Sequence, residues 1–250
     1  MSPVFNTSEV ISVKPKPLPV IMLLDVSGSM SGAKIQNLNE AVKDMLETFR
    51  DVENGEREIH VAVITFGNEV KLHQVLVSAG DIKWQDLSAG GGTPLGTAIK
   101  MAKAMIADKD VIPSRAYRPL VVLVSDGRPG DSWKQPLNDF ISEGRSAKCD
   151  RMAMAIGADA DEGVLGRFIE GTGYPLFYAE NAKQLRDFFK FITMSVMTRT
   201  QSQDPDITPS MSEIGVEAST IKERTIKREP IEQGSNVQAQ DEKPNKEGYW

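Results

Sequence analysis

Three short stretches of this chain carry residues able to hold a hard cation. The first is Asp25-Val26-Ser27-Gly28-Ser29, where alternate positions 25, 27 and 29 can turn three oxygens into one loop. The second, Gly90-Gly91-Gly92-Thr93-Pro94, offers one hydroxyl on a glycine-rich loop. The third, Ser125-Asp126-Gly127, adds another carboxylate. Asp25, Ser27, Ser29, Thr93 and Asp126 together make an all-oxygen set, two carboxylates and three hydroxyls. Such a set suits Mg2+, with Mn2+ or Ca2+ as substitutes. Two carboxylates balance a divalent charge and leave a position for an anionic oxygen. A carboxylate from a protein partner meets that need.

Other chemistries fit these residues less well. An aspartyl nucleophile of the dehalogenase type needs a second Asp two residues on, and Ser27 stands there. A phosphate-binding loop needs Lys-Ser/Thr after its glycines, and Thr97-Ala98 follows instead. In Gly28-Ser29-Met30-Ser31-Gly32 the position of a serine-hydrolase nucleophile is Met30. The chain therefore reads as a non-enzyme, with a metal-dependent phosphate-ester hydrolase as the alternative.

The elements that must position these residues alternate along positions 18–198. Short apolar runs, Pro19–Leu24, Ile59–Phe66, Leu120–Val124, Met152–Ile156 and Leu176–Tyr178, read as strands. Helical spacing links Ile35, Leu38, Val42, Met45, Leu46 and Phe49. A second face runs from Leu95 through Ala98, Ile99 and Ala102 to Ile106, and a third from Leu185 to Val196. This alternation predicts an α/β fold, a three-layer α/β/α domain on a six-stranded, mostly parallel sheet. Val70–Val77 follows the preceding strand after only a Gly67-Asn68 turn, which predicts a hairpin and one antiparallel edge strand. Each cation-binding motif then sits at the end of a strand or before a helix, where open α/β sheets bind ligands.

Composition bounds the rest. The 250 residues carry a net charge of −6, which argues against nucleic acid and against an anionic membrane surface. A single cysteine, Cys149, permits no internal disulfide and reads as a packed thiol. The start, Met1-Ser-Pro-Val-Phe-Asn, lacks a secretory leader's pattern, so a cytoplasmic protein is expected. Residues 1–17 read as an extended lead-in ending in Lys14-Pro15-Lys16-Pro17. The last 50 residues hold no Leu or Phe and only seven Ile/Val, so 199–250 are expected to be a disordered charged tail. Within it Thr220-Ile-Lys-Glu-Arg is nearly repeated at Thr225, and Trp250 is an isolated aromatic. His60 and His73 read as strand residues rather than ligands. Trp133 reads either as packed beneath a helix capped by Asp131 or Ser132, or as a contact residue beside the metal site. Trp84 and Arg128 are weaker rim candidates.

The motifs in order, Asp-x-Ser-x-Ser, a distant Thr and a distant Asp, resemble the metal-ion-dependent adhesion site of the von Willebrand factor A family over residues 18–198. The resemblance implies that Ser27, Ser29 and Thr93 ligate directly, Asp25 and Asp126 largely through water, and an acidic partner residue last. The strings Leu23-Leu24-Asp25-Val26-Ser27-Gly28-Ser29-Met30-Ser31-Gly32, Gly91-Gly92-Thr93-Pro94-Leu95-Gly96 and Ser125–Trp133 are similar to bacterial TerY-type proteins of tellurite-resistance and stress gene sets. That resemblance implies an adaptor working with a Ser/Thr kinase and a PP2C-like phosphatase. Substrate adaptor of a MoxR-type AAA+ ATPase is the neighbouring alternative.

Overall fold

The computed structural model describes residues 16–53, 58–210 and 212–214. Six strands form one sheet: β1 (Pro17–Asp25), β2 (Glu58–Phe66), β3 (Val70–Ser78), β4 (Leu120–Ser125), β5 (Asp150–Ile156) and β6 (Phe177–Ala179). Their order is β3-β2-β1-β4-β5-β6. All pairings are parallel except β2 with β3, the hairpin predicted at the edge.

Helices α1 (Ala33–Val52), α2 (Leu95–Ala107), α3 (Lys134–Ser142), α4 (Glu162–Phe168) and α5 (Ala182–Gln201) cover both faces. Strand alternation sorts the core. Val20, Met22 and Leu24 of β1 pack with α1 and α5, while Ile21 and Leu23 face α2, α3 and α4. β5 shows the same division with a difference in size. Met152 and Met154 fill the α1/α5 side, whereas Ala153 and Ala155 leave room opposite for Phe140 and Phe168, whose rings stack with centroids 5.8 Å apart. Both faces being covered explains why β1 and β4 read as continuous apolar runs rather than alternating ones. Each such buried Leu or Ile contributes about 1.5–3 kcal/mol.

Two boundaries differ from those the sequence predicts. Pro17 belongs to β1, and its carbonyl accepts a hydrogen bond from Tyr117 N–H at 3.0 Å. At the other end, the chain beyond residue 198 does not leave the body at once. Arg199, the largest fully buried side chain, donates from Nε to Pro205 O at 2.8 Å and from Nη2 to Arg118 O at 2.6 Å. Thr208 Oγ1 donates to Asp150 Oδ1 at 2.5 Å, Tyr174 Oη donates to Pro209 O at 3.1 Å, and Ile214 is buried. A strap over 202–210 thus crosses the pole of the sheet where β4 and β5 begin. Apolar content alone hides it, because polar contacts to Arg118, Arg199 and Asp150 hold most of it. The duplicated Thr-Ile-Lys segment, Trp250 and the first 15 residues lie outside the described residues. Among the described residues no helix is long and apolar enough to cross a membrane.

Candidate metal centre

The chain winds from β1 to β2 and β3 on one side, then returns to place β4 on β1's other side. The crevice at the carboxyl ends of β1 and β4 is the point where such sheets receive ligands. Register brings two motifs together there. Leu24 lies opposite Val124, so Asp25 emerges beside Ser125. Ser125 Oγ donates to Asp25 Oδ2 at 2.5 Å, and Ser27 N–H donates to Asp25 Oδ1 at 2.8 Å. Asp25 therefore ties the strand end to the turn that follows it. Burial pushes its carboxyl above the usual value, opposed by the hydrogen bonds from Ser125 and Ser27.

The remaining oxygens form a continuous path. Ser27 Oγ and Ser29 Oγ are 3.0 Å apart, and Ser29 Oγ donates to Asp126 Oδ1 at 2.6 Å. Thr93 completes the group from the facing loop: a methyl built on Gly127 would stand 3.5 Å from Thr93 Oγ1 and 3.8 Å from Ser29 Oγ. All five predicted residues thus converge on one crevice. Asp25, Ser27 and Asp126 are buried, Thr93 is half-buried and Ser29 is exposed, so the cluster opens to solvent at its hydroxyl end.

Backbone contacts hold the glycine-rich loop in place. Gly28 N–H donates to Gly91 O at 2.9 Å, Gly90 N–H to Val26 O at 2.7 Å, and Gly130 N–H to Thr93 O at 2.9 Å. Gly91 has φ 82°, and a Cβ there would lie 2.3 Å from Asn68 Oδ1, so both conformation and space call for glycine. Asp131 supplies the other anchor. Its carboxylate accepts from Gly96 N–H at 2.8 Å and from Thr97 N–H and Oγ1 at 2.9 Å. It caps α2 across the fold rather than α3, whose N-terminus has no side-chain cap. Thr93, two residues before α2, is held by that arrangement.

Two residues outside the predicted set of five also touch the cluster. Ser125 holds Asp25, as described. Lys34, in the first turn of α1, places its ammonium on Asp126 Oδ2. The signal for Lys34 was its place five residues after Ser29, at the start of the helix that the first motif leads into. Trp133 is half-buried and packs against the α2–α4 core, matching the packing reading, while Arg128 is exposed. Trp84 packs on the opposite core and meets the His73 ring edge-on at 5.3 Å. His73 Nε2 pairs with Gln85 O at 2.9 Å, and His60 lies 3.4 Å from Glu58. Neither histidine reaches the cluster. Cys149 is buried, with its thiol pushed up to about 12, chiefly by burial.

The donor set fits a small divalent cation. Adjacent ligands of an octahedral Mg2+ shell, at metal–oxygen distances of about 2.0–2.1 Å, lie about 2.9 Å apart. The Ser27–Ser29 oxygen separation of 3.0 Å matches that edge. Among the described residues no group of three or more His, Cys, Asp or Glu could hold a metal, so a cation held here would take serine and threonine hydroxyls among its ligands.

Comparison with known proteins agrees with this architecture. Residues 20–191 match the von Willebrand factor type A domain. The chain is 24% identical over 212 residues to inter-alpha-trypsin inhibitor heavy chain H2 of Homo sapiens, covering 78% of this chain and 22% of that protein. It thus spans about a fifth of the curated relatives it matches, heavy chain H4 of Homo sapiens being similar at 25% identity and 21% coverage of that protein. Among solved structures, the pilus adhesin SpaC of Lactobacillus rhamnosus GG superposes with TM-score 0.61 at 15% identity, over 74% of this chain and 30% of SpaC. A von Willebrand factor type A protein of Catenulispora acidiphila gives TM-score 0.56 at 21% identity, over 72% of this chain and 42% of that one. With the domain match spanning more than two thirds of its length, this chain belongs to the von Willebrand factor type A domain family.

Proposed function

We propose that this chain is a divalent-cation-dependent protein-interaction module without catalytic activity of its own. Asp25, Ser27, Ser29, Thr93 and Asp126 would hold Mg2+, and an acidic side chain of a partner would complete the site. The observation that carries this reading is the convergence of the five oxygen-bearing side chains at the switch point, open to solvent beside Ser29 and Thr93. When bound, the cation supplies an electrophilic position for a carboxylate oxygen. Asp25 organises the turn through Ser27 N–H and Ser125 Oγ, and exposed Ser29 donates to the buried Asp126. The absence of a second carboxylate at position 27 supports docking over hydrolysis.

In its finer form the proposal is a TerY-like cytoplasmic adaptor. Its setting would be a stress-response or phospho-signalling assembly with a kinase and a phosphatase. The similar strings around residues 23–32, 91–96 and 125–133 support it.

The test is calorimetric titration of Mn2+ and Mg2+ into the wild-type chain, Asp126→Ala and Thr93→Ala. One cation is expected to bind wild type, Asp126→Ala to lose binding, and Thr93→Ala to bind at least about tenfold more weakly. Capture of partners in Mg2+ and in EDTA then tests docking. Normal cation binding by Asp126→Ala, or partners retained in EDTA, overturns it.

A further inference from the structure

Lys34 is the one cationic side chain that touches the oxygen cluster among the described residues. Its ammonium pairs with Asp126 Oδ2, while Ser29 Oγ holds Oδ1 of the same carboxylate. Asp126's side chain is fully buried, whereas that of Lys34 is 37% exposed. The pair thus joins a buried carboxylate to a lysine that is partly open to solvent. A methyl built on Gly157, just beyond β5, would stand 3.7 Å from Lys34 Nζ. The ammonium thus bridges the ends of β4 and β5 from the first turn of α1. That turn carries no acidic residue, so the positive helix end is not offset there. The nearby carboxylate of Asp131 is committed to the first N–H groups of α2.

Charge counting gives this arrangement a consequence. Asp25 and Asp126 alone would neutralise a divalent cation, leaving a loaded site with no net positive charge to add to the cation's own pull on a further anion. Lys34 adds a third positive charge beside the same carboxylate. The loaded site then carries an excess of one positive charge.

We propose that Lys34 is a resident cation that sets the ligand preference of this site: it weakens divalent-cation binding by sharing Asp126 and strengthens the binding of a carboxylate to the loaded site. This inference rests on the metal-site reading above. Lysine suits the role, being a compact charge on a flexible stem, able to stay near Asp126 while another cation shares that carboxylate. The two effects have opposite signs, which a merely structural lysine would not produce.

The experiment compares the full-length wild type, Lys34→Gln and Lys34→Arg. Mn2+ affinity is measured by calorimetry at low ionic strength. Acetate, the smallest carboxylate, is then titrated into each Mn2+-loaded protein, and displacement of metal-bound water is followed by water-proton relaxation. Lys34→Gln is expected to bind Mn2+ about tenfold more tightly and acetate about tenfold more weakly, both changes shrinking as salt rises. Lys34→Arg keeps the charge and should track wild type in both. Because Lys34 is partly exposed, circular dichroism of Lys34→Gln should match wild type. In EDTA it should melt lower, since it leaves Asp126 without its cation, and Mn2+ should raise its melting temperature more than that of wild type. Any pattern other than opposite changes in Mn2+ and acetate affinity overturns the inference. A wild type that binds Mn2+ while Lys34→Gln leaves both affinities unchanged overturns it alone. A wild type that binds no Mn2+ overturns the metal-site reading as well.

Discussion

The two poles of the sheet treat buried charge in opposite ways. Where β4 and β5 begin, the Asp150 carboxylate lies 3.3 Å from Arg199 and 3.7 Å from Arg118, and accepts from Thr208 Oγ1. Arg151 at the same pole spends its guanidinium on the carbonyls of Phe168, Cys149, Glu170 and Ala147. Burial lowers the pKa of both Arg151 and Arg199 from the ordinary guanidinium value. Carboxylate, guanidinium and carbonyl meet one another there, and the strap over 202–210 joins them through Pro205, Asp206 and Thr208. Where β1 and β4 end, two buried carboxylates face one half-exposed ammonium, and hydroxyls open to solvent. At the pole where β4 and β5 begin, Arg118, Arg151 and Arg199 outnumber Asp150 and turn to backbone carbonyls, so their partners come from within the chain and the pole is structural. The pole where β1 and β4 end instead turns its hydroxyls towards solvent, and under the proposed function it is the binding pole.

That contrast can be broken most severely at the structural pole. Arg199→Met removes a fully buried charge from its partner Asp150 and should cost about 3–5 kcal/mol of stability by urea unfolding. Mn2+ affinity should stay within about twofold, since well-separated, unconnected sites behave additively. A tenfold change would show that the poles are coupled through α5 and the sheet.

A smaller effect is expected at the binding pole. Asp131→Ala uncaps α2 and should cost about 1 kcal/mol. It should also weaken Mn2+ binding, because the loop that presents Thr93 loses its anchor. Equal Mn2+ affinity in the variant would place the anchoring entirely in the Gly28–Gly91 and Gly130–Thr93 backbone bonds.

The smallest effect sharpens the contrast at Cys149, which neighbours Asp150 at the structural pole. Its pKa rises from 9.0 to about 12 on folding. The linked stability is therefore full below pH 9 and is lost as pH rises towards 12. A thiol reagent at pH 8 should leave Cys149 unmodified in the folded chain and modify it once urea unfolds the protein. Rapid modification of the folded protein would mean that this pole opens to solvent.

Much of this was legible in the sequence because its causes are local. Val20–Leu24 and Leu120–Val124 are apolar runs of strand length. The Gly67-Asn68 turn dictates a hairpin, and the amphipathic faces of α1, α2 and α5 follow from their 3.6-residue period. The order of Asp25, Ser27, Ser29, Thr93 and Asp126 along the chain is enough to nominate them. Helix α4, with seven residues, is too short for a period to show, and its signal was the Asp161 cap that accepts Val164 N–H. What only the tertiary structure decided involves partners far apart in sequence. Asp131 caps α2 because the loop before α3 returns to it. Lys34 meets Asp126 across 92 residues because α1 starts beside the end of β4. The strap beyond residue 201 stays on the body because Arg199, Arg118 and Asp150 meet at the opposite pole. Periodicity records which face of an element is buried, but a charge or hydroxyl finds its partner only when packing brings distant segments together.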